Sequence, residues 1–293
     1  MKGTVGVVGL GIMGGAMARN LAEAGWQVLG IDTDSAKCAE LARAGVAIQP
    51  DVASLAHAAP MILLSLPSPA AARSVAVAIA ASGAPPRTVA EVSTLALADK
   101  LAVERVLREA GHAPLDCPIS GTGAQAAVKD LVIYASGDSA AIEAARPVFA
   151  DVSRALYDLG VFGNGSRMKF VANLLVAIHN VASAEAMVLG MKAGLDPQQI
   201  VEVIGNGAGA SRVFQLRAPM MAANSYEPAT ARISMFQKDL SIINQFANEL
   251  GCPTPMLSAT VPYYNAAMSS GLAAADAAAV CAVLESMAGV ERA

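Results

Sequence analysis

Short apolar runs and amphipathic stretches alternate along the first half of the chain, and the alternation stops near residue 160. Runs of strand length fall at 4–10, 26–31, 46–48, 61–66, 88–92, 112–116, 130–135 and 154–158. Between them, 16–24, 35–44, 69–81, 97–110 and 140–149 carry apolar residues at helical spacing. Strands that alternate with helices at this period predict a mainly parallel, doubly wound α/β sheet. From 163 onward the pattern is helical throughout. Phe170, Leu174, Ile178, Val181, Met187 and Met191 belong to one unbroken stretch that ends at Gly194. Counted over 166–193, it predicts a helix roughly 42 Å long at about 1.5 Å per residue, joining the sheet to an all-α C-terminal domain. Further helices are expected at 197–204, 214–223, 234–250, 255–270 and 276–287. The expected division is 1–162 and 163–293.

The first strand runs directly into Gly9-Leu10-Gly11-Ile12-Met13-Gly14, then a helix closed by Gly25, then a second strand ending at Asp32. Strand, G-x-G-x-x-G, helix, strand and acid together mark a Rossmann-type dinucleotide fold. Gly9 permits the tight turn, Gly11 lets the backbone approach a pyrophosphate, and Gly14 allows close helix–strand packing. The helix N-terminus offers N–H groups to the anion. Asp32 is placed to bind ribose hydroxyls and to repel a 2′-phosphate. The residues after it, Thr33, Asp34, Ser35 and Ala36, include no Arg, so NAD is expected in preference to NADP. Ligands of such sheets sit at the carboxyl ends of the strands. Leu66, Pro67 and Thr94 stand there, and so does Asp116-Cys117-Pro118-Ile119-Ser120-Gly121-Thr122-Gly123, whose Ser and Gly residues suit an anion nest for a carboxylate. On the long helix, Lys169 and Asn173 share a face, and Asn180 returns to nearly the same angle. Lys238 lies among Met235, Leu240, Ile242 and Ile243.

Composition narrows the field. Hydrophobic residues make up 55% of the 293 and charged ones 15%, so part of the surface is expected to be hidden in an oligomer. A net charge of −4 gives no basic footprint, and nucleic acid is not an expected partner. The longest uncharged run, 250–275, is broken by Pro253, Pro255, Pro262 and Gly271 and is not read as a membrane span. A strand already under way at Thr4 argues against a cleavable presequence. Cys38, Cys117, Cys252 and Cys281 have no metal or redox spacing, which points to reduced thiols in the cytoplasm and to no bound metal. His57, His112 and His179 are read as structural.

Four motifs occur in order: Gly-Leu-Gly-Ile-Met-Gly, Asp-Cys-Pro-Ile-Ser-Gly-Thr-Gly, Gly-Ser-Arg-Met-Lys-Phe-Val-Ala-Asn and Gln-Lys-Asp-Leu. Together they resemble the β-hydroxyacid dehydrogenase family, the 3-hydroxyisobutyrate, tartronate semialdehyde and L-threonate dehydrogenases related to 6-phosphogluconate dehydrogenase. The resemblance covers nearly the whole chain. It implies that residues 9–14, Asp32, Thr94 and Lys238 hold the dinucleotide, and that Ser120, Gly121 and Thr122 hold a substrate carboxylate. It also implies Lys169 as catalytic acid/base, Asn173 as the residue that orients the substrate, and a homodimer or homotetramer. Leu66 and Pro67 are read as cofactor contacts from their strand-end position. The implied reaction passes a hydride between NAD and a small β-hydroxy acid. An imine reductase has a related scaffold but typically carries another acid group in place of Lys169. A non-catalytic NAD-binding regulator would keep 9–14 while losing Lys169 or the Ser120 loop. This chain keeps all of them. It departs from the family pattern at Thr122 and Asp130, where Gly is usual, and at Leu97, where Pro is common. The Thr122 hydroxyl is expected to bond a polar substituent of a threonate- or glycerate-like acid.

Overall fold

The computed structural model describes residues 2–292. Two compact units divide at the long helix, Met1–Lys169 and Phe170–Ala293. The first is built on strands β1 (Thr4–Val8), β2 (Gln27–Ile31), β3 (Ala47–Ile48), β4 (Met61–Leu64), β5 (Thr88–Glu91), β6 (Ala113–Asp116), β7 (Ile119–Ser120), β8 (Val132–Gly137) and β9 (Ala155–Asp158). Its helices are α1 (Ile12–Glu23), α2 (Ser35–Arg43), α3 (Val52–Ala58), α4 (Pro69–Ala81), α5 (Leu97–Glu109), α6 (Gly123–Ala127) and α7 (Ser139–Ala150). The sheet runs in the order β3-β2-β1-β4-β5-β6-β8-β7, with β9 beside β8. From β3 to β6 every pairing is parallel. Strand β8 reverses direction against β6 and β7, then pairs parallel with β9. This is the Rossmann-type, mainly parallel sheet that the alternating pattern predicts.

The strands read as unbroken apolar runs because both faces are covered. Met61 and Leu63 of β4 pack into one core with Met17 and Leu21 of α1 and Phe149 of α7; Ile62 and Leu64 pack into the other with Leu55, Ile79 and Val103. Three elements were not singled out by the sequence pattern. Helix α3 is capped by Asp51, whose carboxylate accepts from Ser54 N at 2.7 Å, and a Cβ on Gly6 would overlap Leu55 of that helix. Strand β7 and helix α6 make up the other two.

The second unit is helical: most of α8 (Asn164–Lys192), then α9 (Pro197–Gly205), α10 (Arg212–Ala223), α11 (Ile233–Glu249), α12 (Pro255–Ser269) and α13 (Val280–Ala288). The helix expected at 276–287 opens instead as a 3-10 turn, Ala277–Ala279. Asp276, fully buried, makes that turn possible by accepting from Ala278 N, Thr230 N, Thr230 Oγ1 and Ala231 N at 2.7–3.0 Å. Burial would raise its carboxyl pKa, but the Ala278 N–H, the Arg217 guanidinium 3.7 Å away and the bonds from the Thr230 hydroxyl and Ala231 N–H hold it below the ordinary range. Helix α8 is long and apolar enough, by length and composition, to cross a membrane. Yet Asn180 on it is buried and donates to Tyr264 Oη at 2.9 Å and Ala277 O at 2.8 Å, the packing of a core helix. Asn180 therefore ties α8 to α12.

Leu55→Ala should destabilise the first unit by about 2–5 kcal/mol, the scale for a fully buried leucine against a tightly seated glycine. Urea denaturation checks this, and a loss under about 1 kcal/mol would show that α3 is not part of the cooperative core.

Candidate active site

The glycine-rich turn follows β1. Gly9 has φ +90°, and a Cβ there would overlap Ser65 O; a Cβ on Gly14 would overlap Gly9 O. A Cβ on Gly11 would meet nothing within 4 Å. The first and third glycines are therefore needed by the protein's own packing. The second leaves open space at the start of α1, where Gly11 is the N-cap and contributes no side-chain bond. That is the cradle a pyrophosphate fits. Asp32 closes the turn from β2: its carboxylate accepts from Leu10 N at 2.7 Å and from Asp34 N at 2.8 Å. In the first turn of α2, Lys37 sits 3.7 Å from Asp32 and 3.5 Å from Asp34. The sequence reading stopped at Ala36 and missed this cation.

Behind the strand ends lies a cluster of three buried charges. Lys100 of α5 is ion-paired with Glu91 of β5 and, at 3.0 Å, with Asp116 of β6, and its third donor reaches Glu91 O at 3.1 Å. All three side chains are at least 98% buried. Burial alone would push the Lys100 pKa down. The Asp116 and Glu91 carboxylates outweigh it and hold the pKa above the ordinary value, so the ammonium stays charged. Each carboxylate also reaches outward. Glu91 accepts from Ser93 N at 3.0 Å, and Ser93 Oγ accepts from Leu66 N at 2.8 Å. Asp116 accepts from Ser166 N at 2.7 Å and Ser166 Oγ at 2.9 Å, inside the first turn of α8. Ser136 Oγ, itself bonded to Asp116, accepts from Gly165 N at 2.9 Å. A Cβ on Gly165 would run into Asp116 O and Tyr134 O. The helix that carries Lys169 thus starts hard against the end of β6. Sequence reasoning gave no role to Glu91, Lys100 or Gly165. The one available signal was a glutamate inside an otherwise apolar strand.

Beyond Asp116, the neighbouring Cys117 is inert: burial pushes its thiol pKa far up. Gly121 has φ +145°, and a Cβ there would overlap Leu131. Thr122 is the N-cap of α6 and not a free loop residue. Its N–H donates to Gln125 Oε1 at 3.0 Å, and its Oγ1 accepts from Gln125 N at 3.4 Å, a reciprocal capping box. Gln125 Nε2 also donates to Asp130 at 2.9 Å, and Asp130 pairs with Arg154 at 2.8 Å. Two of the three departures from the family pattern therefore meet at Gln125. The Thr122 N–H and Oγ1, which the resemblance places beside the substrate, both take part in this cap, the first as donor and the second as acceptor. Asn20 of α1 holds the end of α6 through Ala126 O at 2.7 Å, and a Cβ on Gly123 would press on Ile12. The Ser120 segment is thereby seated next to the glycine-rich turn.

Lys169 is 8% and Asn173 6% exposed, one turn apart on α8. Asn173 Nδ2 donates to Asp239 of α11 at 2.9 Å, and Lys238 pairs with Asp239 at 3.1 Å. The side chain of Lys238 is 43% exposed, so it is not enclosed by the apolar residues around it in sequence. His57 contacts Ser82 O at 2.9 Å and His112 Nδ1 accepts from Arg87 N at 3.2 Å, both structural contacts. Among the described residues no group of three His, Cys, Asp or Glu is arranged to hold a metal.

Residues 4–162 match the family described as the NAD binding domain of 6-phosphogluconate dehydrogenase. Residues 163–284 match the one described as NAD-binding of NADP-dependent 3-hydroxyisobutyrate dehydrogenase. The L-threonate dehydrogenase of Cupriavidus necator is 32% identical over 286 residues, 96% of this chain and 95% of that protein. The solved 3-hydroxyisobutyrate dehydrogenase of Mycobacterium tuberculosis, with L-serine, is similar with a TM-score of 0.87 at 28% identity, covering 96% of this chain and 98% of that one. That of Salmonella typhimurium gives 0.85 at 28% identity, covering 96% and 99%. A nucleotide cradle at Gly11, a buried lysine at the head of the long helix and family matches across both halves lead to one conclusion: the chain belongs to the β-hydroxyacid dehydrogenase family, oxidoreductases that act on a CH–OH group with a nicotinamide dinucleotide.

Proposed function

We propose that the protein is an NAD-preferring dehydrogenase of a small β-hydroxy acid of the threonate or 3-hydroxyisobutyrate type, with Lys169 as general acid/base. The observation that carries this reading is the position of Lys169: buried, on the second turn of a helix pinned to the end of β6, a few residues before Ser120. When bound, the nicotinamide would accept or return a hydride at C4. In the oxidising direction neutral Lys169 Nζ takes the substrate hydroxyl proton as the carbinol C–H bond gives up its hydride. In reduction the ammonium returns that proton to the carbonyl oxygen. Asn173, its amide fixed by Asp239, orients the substrate. Ser120 and Gly121 receive the carboxylate. Residues 9–14, Leu66, Pro67, Thr94 and Lys238 hold the dinucleotide. The exposed stripe of Met168, Val171 and Leu175 on α8 supports self-association into a dimer or tetramer.

Lys169→Ala should lower kcat by about 10²–10⁴-fold while leaving dinucleotide affinity nearly unchanged. The check is turnover on the best acid from a panel of L-threonate, 3-hydroxyisobutyrate, glycerate and L-serine, read by absorbance of the reduced cofactor. Wild-type turnover in the variant would remove the mechanism.

The ribose site gives a second expectation. Asp32 repels a 2′-phosphate, but Lys37 stands beside it as a ready phosphate partner. Asp32→Ala alone should therefore move the NADP:NAD ratio of kcat/KM upward by about tenfold or more, equivalent to about 1.4 kcal/mol. Asp32→Ala with Lys37→Ala should return most of that gain. A ratio that ignores both changes would place cofactor selection elsewhere.

Thr122→Val removes a helix cap and keeps the side-chain shape. It should cost about 0.5–2 kcal/mol of stability and leave the ranking of polar and apolar acids unchanged. Thermal unfolding and the same substrate panel test this, and a loss confined to hydroxylated acids would return the hydroxyl to the substrate.

A further inference from the structure

The three buried charges around Lys100 are hard to explain as stabilising groups alone. A buried ion pair stabilises a fold weakly, because desolvation offsets most of its attraction, and apolar side chains of similar volume often do as well. What an apolar trio would lack is directional bonding. Here each carboxylate uses its second set of lone pairs on a backbone N–H, and the two N–H groups belong to two different segments of the site. Glu91 holds Ser93, which is next to Thr94 and accepts from Leu66 N. Asp116 holds Ser166 through both its N–H and its hydroxyl, three residues before Lys169. Lys100 spans the two with its three donors.

We propose that Lys100, Glu91 and Asp116 form a two-armed positioning device. The Asp116 arm sets the first turn of α8 and through it the Nζ of Lys169, and the Glu91 arm sets the strand-end loops at Leu66 and Thr94 that receive the dinucleotide. All three are buried and bonded to one another, so they act as positioning residues. The carboxylate of Asp116 also lies at the positive end of α8, where a negative charge is favourable, so its pull on the helix start is electrostatic as well as hydrogen-bonded. The inference rests on the proposed roles of Lys169 and of the two strand-end loops.

The two arms predict opposite signatures. Asp116→Asn leaves Glu91 and Lys100 as a balanced pair and removes one acceptor from the helix start. It should lower kcat by about 10- to 100-fold, the scale of a misplaced reacting group. The dissociation constant for NADH, read by fluorescence titration, should stay within about twofold, an immaterial shift on the scale where tenfold is about 1.4 kcal/mol. Hydrogen exchange at the Ser166 amide should accelerate. In a Lys169→Ala background the same substitution should cost nothing further, because it acts through the lysine. Glu91→Gln should instead weaken NADH binding several-fold. If Asp116→Asn fails to fold, Ser166→Ala removes only the 2.9 Å hydroxyl contact and should show the same split at smaller size. The proposal is overturned if the variants lower kcat and weaken NADH binding together, or if Asp116→Asn still lowers residual turnover without Lys169. Full turnover in Lys169→Ala would sink the assigned mechanism instead, and the NADH and exchange measurements would then decide whether the two arms exist.

Discussion

Lys100 has no solvent to hold its charge, and two carboxylates from neighbouring strands do so instead. Removing the ammonium would leave two like charges facing each other in the core, a loss of about 3–5 kcal/mol where buried pairs are broken. The consequence is geometric. With the ammonium fixed, each carboxylate has one orientation, and the segments it bonds have little freedom left. The loop after β4, the loop after β5 and the start of α8 come from three separate parts of the chain. They converge on one cluster, so their relative placement is a property of the sheet interior and not of the loops.

The second unit repeats this logic with different groups. Asp276 gathers backbone donors from the segment before α11 and from its own turn. Asn180 binds a tyrosine whose hydroxyl is pushed up to about 12 by burial. Lys169 and Asn173 are carried by one continuous helix, so their spacing is set by helical geometry. Asp239 then fixes the rotation of the Asn173 amide.

Much of this was legible in the sequence, for identifiable reasons. The Gly9, Gly11 and Gly14 turn could be read because Gly9 and Gly14 answer steric demands of the protein's own backbone, while Gly11 leaves the helix start open. The long helix and the parallel strands could be read from period alone. Helix α3 escaped because seven residues rich in alanine carry too little periodic signal. The charge cluster escaped because its partners are distant: Asp116 and Ser166 are 50 residues apart, and no local pattern links them. Lys37 is local, but it stands one residue past Ala36, beyond the four positions after Asp32 where an Arg is expected. The Thr122 cap was readable, since Thr122-Gly123-Ala124-Gln125 has the spacing of a capping box. The Ser and Gly residues before it give the segment the look of a ligand loop, which masks the cap.

That cap changes what the segment can do. Glycine at both 122 and 130 would leave a backbone with many conformations, to be ordered when a ligand arrives. Here Thr122, Gln125, Asp130 and Arg154 are joined in a chain, so most of that freedom is already gone before binding. Fixing one residue costs about 1–2 kcal/mol of conformational entropy, and in this protein folding bears that cost in place of association. If Ser120 and Gly121 receive the carboxylate as proposed, a loop of settled shape favours fast, entropically cheap capture of acids that fit and gives little accommodation to those that do not.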